Sequence, residues 1–134
     1  QLLVEDELIE VADLKDAAVE FLDNNGDETC DYCQGNKDPK SSDNPDKAII
    51  SLKNERETSY AAYISVQNEL VAAYNVLRNR RALEIGPSRG FRDMNFTQMQ
   101  RNYKDARFVG NKEKLKTLID QIKLEFPQKL SEVQ

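Results

Sequence analysis

The chain has no histidine and no tryptophan, and only two cysteines, five glycines and four prolines among its 134 residues. Without histidine it lacks the side chain most often used as a general base and the commonest neutral metal ligand. Both cysteines lie in one Cys30-Asp31-Tyr32-Cys33 motif, which supplies two thiolates, half of a structural zinc site. No Gly-rich phosphate loop, nucleophile elbow or His-Glu-x-x-His motif occurs. Asp23-Asn24-Asn25-Gly26-Asp27 invites comparison with a calcium loop, but glycine stands at the fourth place instead of the sixth and no glutamate follows at the twelfth. No metal or cofactor is therefore expected. Carboxylate acid–base chemistry has no supporting spacing either, because the acidic residues fall on the polar face of a first helix and in a loop, where solvation accounts for them. No run approaches the roughly 18 apolar residues of a membrane span, so the chain reads as soluble or at most peripheral to a membrane. It is expected to bind or build, not to catalyse.

What is present is charge, unevenly placed. Residues 1–46 carry 14 acidic and 3 basic side chains, a net of −11, whereas residues 47–134 carry 10 acidic and 16 basic, a net of +6. The densest basic stretch runs from Arg78 to Lys116, with 11 basic and 4 acidic residues. Such a patch suits an acidic protein surface, anionic lipid or nucleic acid, and equally suits the acidic half of the same chain. The Cys30–Cys33 pair closes as a loop disulfide in an oxidising compartment or stays as two thiols in a reducing one. Catalytic redox work is disfavoured, since Asp27, Glu28 and Asp31 raise the thiol pKa. The chain begins at Gln1 and enters a helical pattern at once, which suits a mature protein whose targeting segment has been removed.

The periodicity predicts four helices in one domain spanning 1–134. Val4, Leu8, Val11, Leu14, Ala18, Phe21 and Leu22 give a first helix from Leu2 to Leu22, ended by Asn24-Asn25-Gly26. From Asp23 to Asp46 almost no apolar residue occurs, which predicts a long, exposed, acidic loop. Asn44 and Pro45 make a good cap and first turn for a second helix. Its face is Ile49, Leu52, Tyr63, Val66, Leu70, Ala73, Tyr74 and Leu77, ending near Arg81, with a thin region between Lys53 and Ser59 where Asn54-Glu55-Arg56-Glu57 projects or bends. Tyr60, Tyr63 and Tyr74 read as core residues. Pro87 opens a third helix on which Phe96, Met99, Tyr103 and Ala106 share a face, with Gly110 as its stop. Leu115, Leu118, Ile119, Ile122, Phe126, Leu130 and Val133 form the stripe of a fourth helix from Lys112, kinked or shortened by Pro127. No segment alternates like a strand. The expected fold is all-α, a four-helix bundle with the long loop between its first two helices.

Between the second and third helices, Gly86-Pro87 forms a corner surrounded by Arg78, Arg80, Arg81, Arg89, Arg92 and Arg101. Glycine can take backbone angles that other residues avoid, and proline suits the first helical position. From Val66 to the C-terminus, about half of the chain, this segment resembles the PsbQ family, the extrinsic lumenal subunits of photosystem II. The resemblance rests on Arg80-Arg81, Gly86-Pro87, Arg92-Asp93-Met94, Phe96 and Arg101, followed by the lysine-rich stretch Lys112 to Lys129. The aromatic residue of the turn before Gly-Pro is absent and the Cys-containing loop is additional, as in a divergent algal or diatom-type member. The resemblance implies a non-catalytic protein of the chloroplast thylakoid lumen, peripheral to the membrane, without cofactor. It would dock on the photosystem II core, near the inner antenna proteins and other extrinsic subunits, and stabilise the oxygen-evolving complex. An oxidising lumen would account for Cys30–Cys33, and the arginines around Gly86-Pro87 would be the docking surface.

Two other readings use the same residues. A small helical connector of a virion or other large assembly would show the same helices and basic corner. A nucleic-acid binder would use Arg78 to Lys116 on phosphates, against which stand the pI near 4.9 and the lack of a recognised motif with aromatics among the basic residues.

Overall fold

The structure, a computed structural model, describes residues 2–4, 7–53 and 59–133, with side chains described from Glu10 to Leu52 and from Ser59 to Leu130. It is mostly helical, with four α-helices and four short strands among the described residues. These are β1 (Leu2–Val4), β2 (Glu7–Ile9), α1 (Val11–Leu22), β3 (Ile50–Lys53), α2 (Tyr60–Ile85), α3 (Phe96–Lys104), α4 (Lys112–Glu125) and β4 (Leu130–Val133), with a 3-10 turn at Pro87–Arg89. No helix among them is long and apolar enough to cross a membrane.

The helices form two cores that meet along α2. Leu14, Ala18 and Leu22 lie on one face of α1, each four residues apart, and pack with Leu70, Ala73, Tyr74 and Leu77 of α2, joined by Ala48, Leu52 and Phe126. The second core joins Ala82 to Phe91, Phe96 and Met99 and to Leu115, Leu118, Ile119 and Ile122 of α4. Burial of these large apolar side chains is the main favourable term, at about 25 cal/mol per Å² removed from water. Tyr74 is buried in the first core with its hydroxyl accepting from the Lys129 amide at 3.1 Å, which removes the cost of burying a phenol.

The predicted first helix is shorter than its pattern. Leu2–Val4 pairs antiparallel with Glu7–Ile9, Leu3 opposite Leu8, and the helix starts only at Val11. Two apolar triplets close together satisfy strand pairing as well as helical spacing, and short apolar runs do not distinguish the two. The second helix begins at Tyr60, capped by Ser59, whose hydroxyl accepts from the Ala62 amide at 3.1 Å. Asn44 does cap a turn, its side chain accepting from the Lys47 amide at 3.0 Å, but that turn ends after one round. The chain extends instead, and Ile50–Lys53 pairs parallel with Leu130–Val133. Ile49, expected on the buried face, is exposed. The thin region at Asn54–Glu57 lies outside the described residues.

Pro127 ends the fourth helix at Glu125. The residue before a proline is steered away from helical angles, and Phe126 sits at φ −128°, ψ 73°. Leu130 and Val133, predicted to extend the helical stripe, belong to β4. These four strands correct the expectation that no segment is extended.

The corner also differs in detail. Pro87 opens the 3-10 turn, not α3, which begins at Phe96 behind Asn95. Asn95 and Gln98 form a reciprocal capping box, a stronger start than Pro87 because it satisfies amides at both positions. Asp93 at φ 55° breaks the intervening chain. At the other end α3 stops at Lys104, so Ala106 is outside it, and Tyr103 is exposed rather than in the core. Gly86 takes ordinary helical angles, φ −56° and ψ −47°. Glycine is needed there for space, since a Cβ would stand 2.5 Å from the Phe91 carbonyl oxygen and 2.6 Å from that of Ala82.

Gly86→Ala separates these two effects. Helix propensity alone favours alanine by about 1 kcal/mol. The backbone contact should override it and destabilise the chain by about 1–3 kcal/mol, read as a lower denaturant midpoint at unchanged slope.

Candidate functional site

The six arginines near the Gly-Pro corner divide into two groups. Arg78, Arg80 and Arg81 lie close together near the C-terminal end of α2 and point into the protein. Arg78 is 9% exposed; its Nε donates to the Phe126 carbonyl at 3.1 Å and its guanidinium lies 5.4 Å from the centre of the Phe96 ring. Burial lowers its pKa from the ordinary arginine value, partly offset by Tyr74. Arg80 grips Asp23 with both terminal nitrogens, each at 2.8 Å, and its Nε faces Glu84 at 3.5 Å, in ion-pair range but off hydrogen-bond geometry. Arg81 binds Glu125 through Nε at 2.8 Å and Nη2 at 3.0 Å, and stands 4.8 Å over the Tyr32 ring. Hydrogen bonds donated to the carboxylates, of Asp23 and Glu125 respectively, raise both guanidinium pKa values.

These contacts join distant parts of the chain. Asp23 ends α1 and Glu125 ends α4, so the Arg80-Arg81 pair ties both helices to α2 with planar two-point grips of the kind arginine forms best. The expected docking set is therefore not a single surface. Gly86 is buried, Pro87 is exposed, and Arg89, Arg92 and Arg101 are exposed and carry no ion pair among the described residues. Lys104 and Arg107 are exposed beyond Arg101, with Arg107 paired among the described residues to nearby Asp105 at 3.4 Å. Shallow depressions lie beside it, one lined by Asp93, Met94, Gln98, Arg101 and Asn102, the other by Tyr103, Lys112, Glu113 and Lys116. Among the described residues no cluster of three or more His, Cys, Asp or Glu side chains could hold a metal ion.

The acidic segment after α1 is ordered by three successive polar residues. Asp23 Oδ1 accepts from the Gln34 amide at 3.1 Å and its carbonyl from Gly35 at 3.0 Å. Asn24 donates to the carbonyls of Asp38 and Ser42 at 2.9 and 2.7 Å and accepts from the Asp38 amide at 3.1 Å. Asn25, at φ 60°, donates to the Cys30 carbonyl at 2.7 Å and accepts from its amide at 2.9 Å. All three are buried. The sequence marks Asn24-Asn25-Gly26 as a helix stop and Asp23–Asp27 as a poor calcium loop; the role of Asp23, Asn24 and Asn25 as a hub is missed because such polar side chains mark no particular backbone partner.

Cys30 and Cys33 are joined as a disulfide, with Cα atoms 5.6 Å apart. Within that short ring Tyr32 turns inward. Its hydroxyl donates to the Glu125 carbonyl at 2.6 Å, and its ring meets Phe126 edge-on at 5.2 Å. Burial, then the charge of Glu125, push the Tyr32 phenol up to about 12. Burial raises Tyr74 as well.

Two outcomes follow from this geometry. Arg80→Ala strands the buried Asp23 carboxylate and should cost about 3 kcal/mol in chemical denaturation, whereas Arg89→Ala should stay within about 0.5 kcal/mol. In an alkaline titration, Tyr32 should ionise late, and Tyr32→Phe should remove a step near pH 12 from the tyrosinate absorbance. The unfolded phenol loses its proton near pH 10. The stability Tyr32 contributes is thus complete below about pH 10 and is lost as pH rises through about 12.

No family model, curated protein or solved structure matches this chain, which leaves its own contacts and charges as the ground for a functional reading.

Proposed function

We propose that the chain is a non-catalytic extrinsic subunit of photosystem II, of the PsbQ type, held on the lumenal side of the thylakoid membrane by an electrostatic surface. The observation that carries this reading is the division among the arginines. Arg80 and Arg81 use carboxylates of the chain itself, while Arg89, Arg92 and Arg101 are exposed without an ion pair among the described residues. Arginines of the second kind are free to meet carboxylates of another protein. The docking surface is accordingly narrower than the basic run in the sequence and lies on the 3-10 turn, the segment before α3 and α3 itself.

The helices in this reading make a bundle of the family's kind, with residues 23–46 as an added acidic loop. Helix α1 packs on α2, α2 on α3 and α3 on α4, which is compatible with such an arrangement. A loop disulfide suits an oxidising lumen. Catalysis plays no part, and the role is to shield and stabilise the oxygen-evolving complex through contacts with the core, the inner antenna proteins and neighbouring extrinsic subunits.

Rebinding to salt-washed photosystem II membranes tests the proposal. The chain should rebind at low salt and be released near molar salt, where the screening length falls to about 3 Å. Reversing three charges, in R89E/R92E/R101E, should lower affinity at least about tenfold while leaving the melting temperature nearly unchanged. If the chain fails to rebind, or if the triple variant binds like the parent, the docking surface is misassigned. Salt-sensitive retention of DNA or RNA instead would favour the nucleic-acid reading.

A further inference from the structure

Cys33 and Tyr32 both pack against the first core, and Tyr32 is the side chain of the disulfide ring that makes named polar and ring contacts with distant helices. Its hydroxyl holds the last-turn carbonyl of Glu125, its ring covers Phe126 and supports Arg81, and its own carbonyl accepts from Arg80 at 3.4 Å. On either side the backbone has separate anchors. Asn25 holds both polar backbone groups of Cys30, and Asp23 holds the amides of Gln34 and Gly35. Between these anchors, the Cys30–Cys33 bond is the covalent constraint that keeps Asp31 and Tyr32 in a tight turn.

The two sulfurs are not equally placed. Cys30 is buried, at 7% exposure, whereas Cys33 is half-buried. A dissolved thiolate therefore approaches the Cys33 sulfur, and the Cys30 sulfur leaves. Asp27, Glu28 and Asp31 are exposed around the ring.

We propose that Cys30–Cys33 is a redox-operated latch for Tyr32. A dithiol reductant delivers two electrons and two protons, giving two cysteine thiols and the oxidised, cyclic disulfide of the reductant. With the ring open, Tyr32 leaves Phe126 and Glu125, uncovering an apolar side chain beside the Arg81–Glu125 grip. The Asp23, Asn24 and Asn25 anchors keep the remainder of the loop attached, so the change is local. The proposal does not depend on which partner the basic surface meets.

Proton NMR of the tyrosine rings and amide exchange of the full chain, each measured before and after dithiothreitol with free thiols counted in each sample, test this. The Tyr32 ring resonances should move to free-tyrosine values on reduction, as the ring leaves Phe126 and Arg81, while exchange at Leu70–Leu77 of α2 and at the amides of Gln34 and Lys37 changes by less than about twofold. Tyr32→Ala, kept oxidised, provides the second arm. If the bond acts through Tyr32, reducing this variant should shift its melting temperature by less than about half of the parent's shift, because the two changes remove the same contact. Equal shifts in parent and variant would overturn the latch. So would unchanged Tyr32 ring resonances with both thiols free, loss of protection throughout the chain on reduction, or a purified chain whose cysteines are never joined.

Discussion

The bidentate grip of Arg80 on Asp23 is the contact on which the organisation of this protein rests. Asp23 stands where α1 ends, its side chain 7% exposed, and a bare carboxylate there would be strongly disfavoured. Arg80 supplies the countercharge and two hydrogen bonds at 2.8 Å. Thus held, Asp23 also accepts from the Gln34 and Gly35 amides, which folds the acidic segment back on the helix end. One pair therefore sets the end of α1, its distance from α2 and the path of the following loop. The Arg81–Glu125 pair does the same at the end of α4.

A basic run of sequence consequently becomes two kinds of structure. Arginines on one side of α2 compensate the acidic ends of neighbouring helices and leave little charge to offer outward. Those beyond Gly86 lie on the 3-10 turn, the segment after it and the short α3, and they keep their charge at the surface. The same residue type acts as internal fastener or as external contact according to whether a carboxylate is brought within about 4 Å, the range over which an ion pair forms.

Much of the helical content was legible. Leu14, Ala18 and Leu22, the Leu70–Leu77 face and the Leu115–Ile122 stripe recur at helical spacing, and all are buried. Asn111 and Ser59, which the sequence reading did not single out, cap their helices through local bonds. Boundaries were less legible wherever a local signal had a distant competitor. Asn44-Pro45 starts a turn but loses the continuation to pairing with β4, some eighty residues away in the sequence, and Leu130 continues an apolar period that Pro127 has already ended.

By itself the sequence determined which segments can be helical, where Gly86-Pro87 interrupts them, how charge divides between the two halves and which catalytic side chains are missing. These are properties of residue type and near-neighbour spacing. Only the tertiary structure decided which arginines are spent inside, that Asp23, Asn24 and Asn25 organise the loop, and that Tyr32 spans from the disulfide ring to Phe126. Each of those outcomes pairs residues 5 to 94 positions apart. A guanidinium or carboxamide is compatible with many partners, and burial selects among them only when the chain has brought one within reach.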